Sequence, residues 1–499
     1  MPEAASQPPV GVEGLPLAAA YLERSYGTED GTKLEDGNVV VPRPRRKSLP
    51  PFQGGNSALL TAGIIVADVV GAGILSMAVA VAKFGWLLGA VVIVVLLAMN
   101  VHISLLVWRV RMHCPAAYTY VALASAAFAD APAWQRRATE MVTVVSQQVF
   151  LFCTLGLYSL SFGQGLGGLF YDEWRLCLPV LTMLGLLLLA PVHVTSRSLG
   201  KWQSLVLLNV LTIVGTVLIP LVYMASSGAR ATRLAGSVVE AFADMSVVGV
   251  LSGLEVMSFA FTSQFMLVEI MSEMRRPEEL PKAYMMSAPF QGIMFLICGV
   301  GGYYYLGSRV QGVIGENIPY GPAYRVAAFC LLVHMLITYL MKGVVFCRSM
   351  QSYLSPGKVN DASAQGWASW CGMTLASMTM AWVLAQVVPF FTDLIDLLGA
   401  TLTPLSCYVI PIALYLRWLQ DRGTKEDSIG FAEKILIAAE LALSFVLMTA
   451  GTYFAFQHLR SNWHTYGPPF ACHCQSIWAT CECSAHHPGM EQCAIPGAA

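Results

Sequence analysis

Long runs of apolar residues alternate with short charged segments along most of this chain, and neither a two-residue strand period nor a one-faced helical period dominates. A membrane-crossing helix needs about 20 mostly apolar residues. Runs of that kind fall near 58–82, 86–108, 140–163, 176–195, 202–226, 247–271, 285–307, 322–347, 366–389, 392–416 and 431–458. They predict an all-α integral membrane protein with eleven transmembrane helices. The third run is the least uniform, because Ser146, Gln147 and Gln148 sit inside it. A helix buried in a bundle tolerates such groups where one facing lipid does not.

Three segments follow from this pattern. Residues 1–57 are rich in Pro, Gly and charge and read as a disordered tail without the layout of a signal peptide. Residues 58–458 form the transmembrane domain. Residues 459–499 are a Cys- and His-rich tail. With the N-terminus in the cytoplasm, 22 of the 29 lysines and arginines, Lys342 among them, fall in or beside cytoplasmic segments. That bias is the one membrane insertion imposes, and it puts the C-terminus on the opposite side. The membrane itself, plasma or vacuolar/endolysosomal, is left open.

Composition agrees. Of 499 residues, 56% are hydrophobic and 12% charged, with a formal net charge of −1. Soluble domains carry about 25% charged residues, so a large soluble enzyme is excluded, and nothing draws the chain to nucleic acid. No phosphate loop, metalloprotease helix or nucleophile elbow is present. Neither a catalytic centre nor a cofactor is expected.

Two runs are built to break. The first carries Asp68 and then Gly71-Ala72-Gly73 at mid-depth. The sixth carries Ser258 to Gln264, a polar interruption between apolar flanks. Glycine lowers the cost of unwinding a helix by about 1 kcal/mol relative to Ala and lets a ligand approach the backbone; tight helix packing explains small residues equally well. Discontinuous helices five spans apart are the arrangement of inverted five-helix repeats, whose breaks frame a site near the membrane midplane. Freed amides suit a carboxylate and freed carbonyls a cation, which together describe an amino acid zwitterion.

At these residues the chain resembles a known family. Ala67-Asp68-Val69-Val70-Gly71-Ala72-Gly73-Ile74-Leu75-Ser76-Met77, with Lys83-Phe84-Gly85-Trp86 after it, is similar to the first-helix signature of the amino acid/auxin permeases, especially their plant amino-acid-permease and lysine/histidine-transporter-like branch. Phe259-Ala260-Phe261-Thr262-Ser263-Gln264, then Glu269-Ile270, Arg276-Pro277 and Pro281-Lys282-Ala283, resembles that family's sixth helix. Val333 to Tyr339 is similar to its eighth helix and Phe391 to Ala400 to the start of its tenth. The resemblance implies a LeuT-like core, alternating access, and secondary transport of amino acids, usually coupled to protons. Where relatives carry His this chain has Gln264, which cannot titrate, so any proton role of that His is missing here.

The expected substrate contacts are therefore Gly71, Ala72, Gly73, Phe259, Phe261, Thr262, Ser263 and Gln264. Asp68 is the first candidate for coupling to an ion, a proton before sodium, because acids at bilayer depth mark pathways; a carboxylate satisfied by a neighbouring helix is the plainer alternative. Glu269 matches the family position and is a candidate gate. Thr338 could help hold sodium with Asp68 and opened carbonyls, although it and His334 read more readily as helix-packing hydrogen bonders. Glu255 is a reserve proton site. Gln147 and Gln148 read as packing hydrogen bonders, Glu273 as an ion-pair partner, and Asp393 and Asp396 as complements to a helix dipole. Cys472, Cys474, Cys481, Cys483 and Cys493, with neighbouring histidines, read as disulfides more readily than as a metal site. A receptor that binds amino acids and signals with little flux keeps the same broken helices.

Overall fold

A computed structural model describes residues 55–170, 176–197, 203–233, 235–310, 312–359, 361–388, 391–422, 429–466 and 469–470. The basic cluster before the first run, nearly all of the N-terminal tail and the five C-terminal cysteines lie outside these residues.

The first run is a helix in pieces: α1 (Ala58–Val69), α2 (Ala72–Leu75) and α3 (Met77–Ala82). Ser57 caps α1, its hydroxyl accepting from the Leu60 amide at 3.3 Å. There follow α4 (Trp86–His113), the short α5 (Tyr120–Ala127), α6 (Ala133–Leu169), α7 (Leu178–Thr195), α8 (Gln203–Ser227) and α9 (Ala229–Thr232). The sixth run splits into α10 (Val247–Ala260) and α11 (Gln264–Ser272). The remainder comprises α12 (Leu280–Leu296), α13 (Gly302–Leu306), α14 (Pro322–Leu354), α15 (Ala364–Val387), α16 (Phe391–Ala400), α17 (Ile410–Arg422), α18 (Phe431–Val446) and α19 (Thr452–Tyr466). Wide helical turns with i→i+5 bonding, at Ile297–Gly301, Pro404–Val409 and Leu447–Gly451, join α12 to α13, α16 to α17 and α18 to α19.

Among the described residues ten helices are long and apolar enough to cross a membrane. The remaining run, 58–82, is broken into pieces none of which reaches that length, whereas the two halves of the interrupted sixth run together do. The α6 helix is much longer than its apolar run, at 37 residues, or about 55 Å. Its Ser146, Gln147 and Gln148 are all buried, as expected of a helix at the centre of a bundle. The α14 helix packs along α6 and α8, and α1 runs beside α12 and α8.

One sequence assignment changes. Lys342 is not a charge at a cytoplasmic border. It lies inside α14 with only 3% of its surface exposed. The bias of charge between the two sides loses one member and keeps its direction.

Candidate functional site

Both interruptions occur where the sequence places them. Residues Val70 and Gly71 leave helical geometry, and Ser76 kinks the chain again between α2 and α3. In the sixth run Phe261, Thr262 and Ser263 separate α10 from α11. The two breaks touch. A Cβ placed on Gly73 would lie 2.4 Å from the Cα of Ala260, so the backbones of the first and sixth runs meet there and only glycine fits. Gly71 has a different environment: a Cβ placed on it would meet the Asp68 carbonyl oxygen at 3.3 Å, then His334 Nε2 and the Tyr158 hydroxyl at 3.9 Å. The Ile74 carbonyl accepts from the Cys298 thiol at 3.1 Å, so part of the backbone opened by the first break is already satisfied by a side chain.

Beside Gly71 stands an ion pair. Lys342 Nζ lies 3.1 Å from Asp68 Oδ1, and Asp68 is 4% exposed. The ammonium also sits 5.6 Å from the centre of the Tyr158 ring and 5.3 Å from that of Phe265, within range of a cation–π attraction. Neither Asp68 oxygen has an aligned hydrogen-bond donor among the described residues. Its partner is the Lys342 ammonium, an opposite charge 3.1 Å away. Burying a charge is tolerated when another compensates it, and that is how an acid and a base both persist at this depth.

The other expected residues divide by surroundings. Thr338 donates to the His334 carbonyl at 2.8 Å and accepts from Asn209 Nδ2 at 3.3 Å, while His334 Nδ1 meets the Asn209 carbonyl at 3.2 Å. Gln264 turns away from the first break. Its amide nitrogen donates to the Asn100 carbonyl at 3.1 Å and to Ser104 Oγ at 3.2 Å, and contacts the Asn100 side chain. Ser263 and Tyr284 extend this network, at 3.2 Å between their hydroxyls and 2.8 Å from Tyr284 to Ser104. These groups fasten the start of α11 to α4. Phe261 packs against Phe295 with ring centres 4.5 Å apart, and Phe259 lies 6.0 Å from Phe150. Thr262 donates to the Phe259 carbonyl at 2.8 Å. Ala72 is buried.

Glu269 sits in a latch. Its Oε1 accepts from the Tyr120 amide at 3.0 Å and from Gln147 Nε2 at 3.1 Å, while Gln147 also donates to the Phe265 carbonyl at 2.7 Å. The Tyr120 hydroxyl donates to the Ser406 carbonyl at 2.8 Å. Nearby, Asn56 forms a parallel bridge with Met274, donating to the Glu273 carbonyl at 3.1 Å and accepting from the Arg275 amide at 2.9 Å. That bridge ties the entry to α1 to the end of α11. Just beyond the end of that run, burial pushes the Glu273 carboxyl up to about 7, with Arg348 pulling the other way. Glu255 is buried against Gly399 and Gly451, far along α10 from this latch.

Lys342, Tyr158, Asn209, Asn100 and Tyr284 are the members of the site that sequence reasoning missed. For Lys342 a signal existed, since an ionisable residue inside an apolar run marks function.

Residues 54–457 match the family model described as transmembrane amino acid transporter protein. The chain is 24% identical to amino acid transporter AVT3C of Arabidopsis thaliana over 460 residues, which is 87% of this chain and 99% of that one. It is 23% identical over 223 residues to the N amino acid transport system protein of Neurospora crassa, covering 43% of this chain and 46% of that protein, less than half its length. Among solved structures, MhsT in complex with L-phenylalanine superposes with a TM-score of 0.52 at 15% identity, over 81% of this chain and 98% of that one. That likeness shows the fold, which is LeuT-like.

Proposed function

The chain belongs to the transmembrane amino acid transporter family, a family of transporters and not enzymes, and on that premise we propose that it carries amino acids across its membrane by alternating access, driven by protons. One observation carries the coupling: the Asp68–Lys342 pair, 3.1 Å apart, lies directly beside the Gly71 break. A proton on Asp68 cancels its attraction for Lys342 and frees α1 from α14, so the charge state of one carboxyl decides whether the two runs are held together. A substrate bound at the breaks senses that state through Gly71. Sodium is the weaker candidate. Asp68 already has a cation beside it, and the Thr338 hydroxyl is engaged by His334 and Asn209.

Gly71, Ala72, Gly73, Thr262 and Ser263 are the proposed backbone and hydroxyl contacts of the substrate. Phe259 and Phe261 form its apolar walls, and Gln264 holds the sixth break in place. Glu269 is the proposed gate. The proposed orientation, N-terminus cytoplasmic and C-terminus outside, is supported by the charge bias. It is also supported by Cys177, at the start of α7 on the proposed outer side, which is disulfide-bonded as cysteines are in oxidising compartments.

Uptake of a panel of labelled amino acids into proteoliposomes tests this. Accumulation is expected to need an inward proton gradient, to collapse with a protonophore and to survive complete removal of sodium. Sodium dependence at constant pH would overturn proton coupling. Saturable amino acid binding with no flux would instead mean a sensor.

A further inference from the structure

Near the start of α16 and the far part of α19, three metal-binding side chains meet that no step of the transport proposal uses. We propose that Asp393, Asp396 and His458 bind a divalent cation of the zinc class, which clamps α16 to α19. Asp393 and Asp396 are three apart and share one face of α16. His458 Nδ1 lies 3.1 Å from Asp393 Oδ1, and one ligand atom from each of the three residues lies within 4.8 Å of the others. Zinc held at 2.0–2.2 Å in a tetrahedron keeps its ligand atoms roughly 3.4 Å apart. Binding would draw the three side chains together across that difference.

A second observation points to a ligand. Asp396 is 3% exposed, and among the described residues its Oδ1 has no hydrogen-bond partner, whereas its Oδ2 accepts from Ser252 at 3.1 Å. A buried carboxylate oxygen without a donor requires an explanation, and a bound cation supplies one. Ser252 holds the carboxylate through its other oxygen, as groups behind metal ligands commonly do. The His458 side chain is 54% exposed, which gives the ion a way in and leaves room for water as the fourth ligand. Lys83 is the neighbouring basic group that acts on Asp396 and His458. Glu255 is a further acidic group that acts on Asp396, and two carboxylates side by side attract a divalent cation. One imidazole and two carboxylates suit zinc, and among the described residues no thiolate joins them to select copper(I).

Ser252 belongs to α10, the first half of the interrupted sixth run, so a metal here would join α10, α16 and α19. Holding them together would slow any motion of α10 relative to α16.

Cobalt(II) titration of the purified full-length protein tests the site, because cobalt reports its ligands. The expected spectrum has weak visible bands without thiolate charge transfer, and His458→Ala removes it. Zinc on the Lys83 side of proteoliposomes is expected to inhibit uptake, and His458→Ala to raise the half-inhibitory concentration at least tenfold with uptake in chelator unchanged. Should His458→Ala fail to fold, His458→Gln and Asp393→Asn serve. Cobalt bands that survive these substitutions, or that come only from thiolates such as those of the C-terminal tail, overturn the site. Binding without inhibition overturns the clamp.

Discussion

Removing either partner of the Asp68–Lys342 pair should damage the protein far more than removing both. At 3.1 Å, two unit charges in an effective dielectric of about 20 attract by about 5 kcal/mol. Breaking a buried pair by deleting one side leaves an uncompensated charge and costs about 3–5 kcal/mol, whereas replacing both is often neutral. Asp68→Asn strands the Lys342 ammonium and Lys342→Met strands the carboxylate, so each alone is expected to lower stability by several kcal/mol. Asp68→Asn/Lys342→Met should recover most of that loss, giving a coupling of at least about 2 kcal/mol in the double-mutant cycle. Equilibrium unfolding of the full-length protein in mixed micelles, followed by tryptophan fluorescence, measures all four corners. The double variant also separates folding from coupling: it should exchange labelled substrate across the membrane and yet fail to accumulate it against a gradient. A coupling below about 0.5 kcal/mol, or proton-driven accumulation by the double variant, would refute the role assigned to this pair.

Two other outcomes follow from local geometry. Gly73→Ala forces a methyl group to within 2.6 Å of the Ala260 Cβ and should destabilise the fold by about 1–3 kcal/mol, while Gly71→Ala, whose nearest neighbour is 3.3 Å away, should fold and alter substrate affinity; equal thermal stability of both variants would contradict this. Glu273 has a carboxyl raised from 4.5 to about 7 by burial. The folded protein therefore keeps a proton that the unfolded chain releases, and the stability this group adds at low pH is lost between about pH 4.5 and 7; Glu273→Gln should flatten that part of the stability profile, and an unchanged slope would show that Glu273 does not titrate there.

What could be read from the sequence was whatever depends on local pattern. The apolar runs, the breaks at Gly71 and at Phe261 to Ser263, and the burial of Gln147 each follow from residues next to one another. What pairs across the bundle could not be read in that way. Asp68 in α1 meets Lys342 in α14, and no periodicity joins those positions; near the end of its apolar run, Lys342 passes for a loop charge. Gln264 looks like a substrate ligand by position in its motif, and only packing reveals that it faces Asn100 and Ser104 of α4. The two glycines of the first break are alike in sequence and opposite in use. One lets backbones touch and the other lies open to polar side chains, a difference set entirely by what α10 and α14 bring alongside.

Tyr120 reduces the number of parts that can move independently. Its amide holds Glu269 of α11 and its hydroxyl holds Ser406, in the wide turn between α16 and α17. Two remote helices thus share one bracket, carried by an eight-residue helix that crosses nothing itself. Pulling α11 away from that turn requires breaking a bond at one end or the other of a single tyrosine, at about 0.5–3 kcal/mol for each. Short of that cost the three pieces travel as one body. A pivot for them must then lie outside the bracket, and the three-residue gap between α10 and α11 is one stretch of chain free of helical constraint.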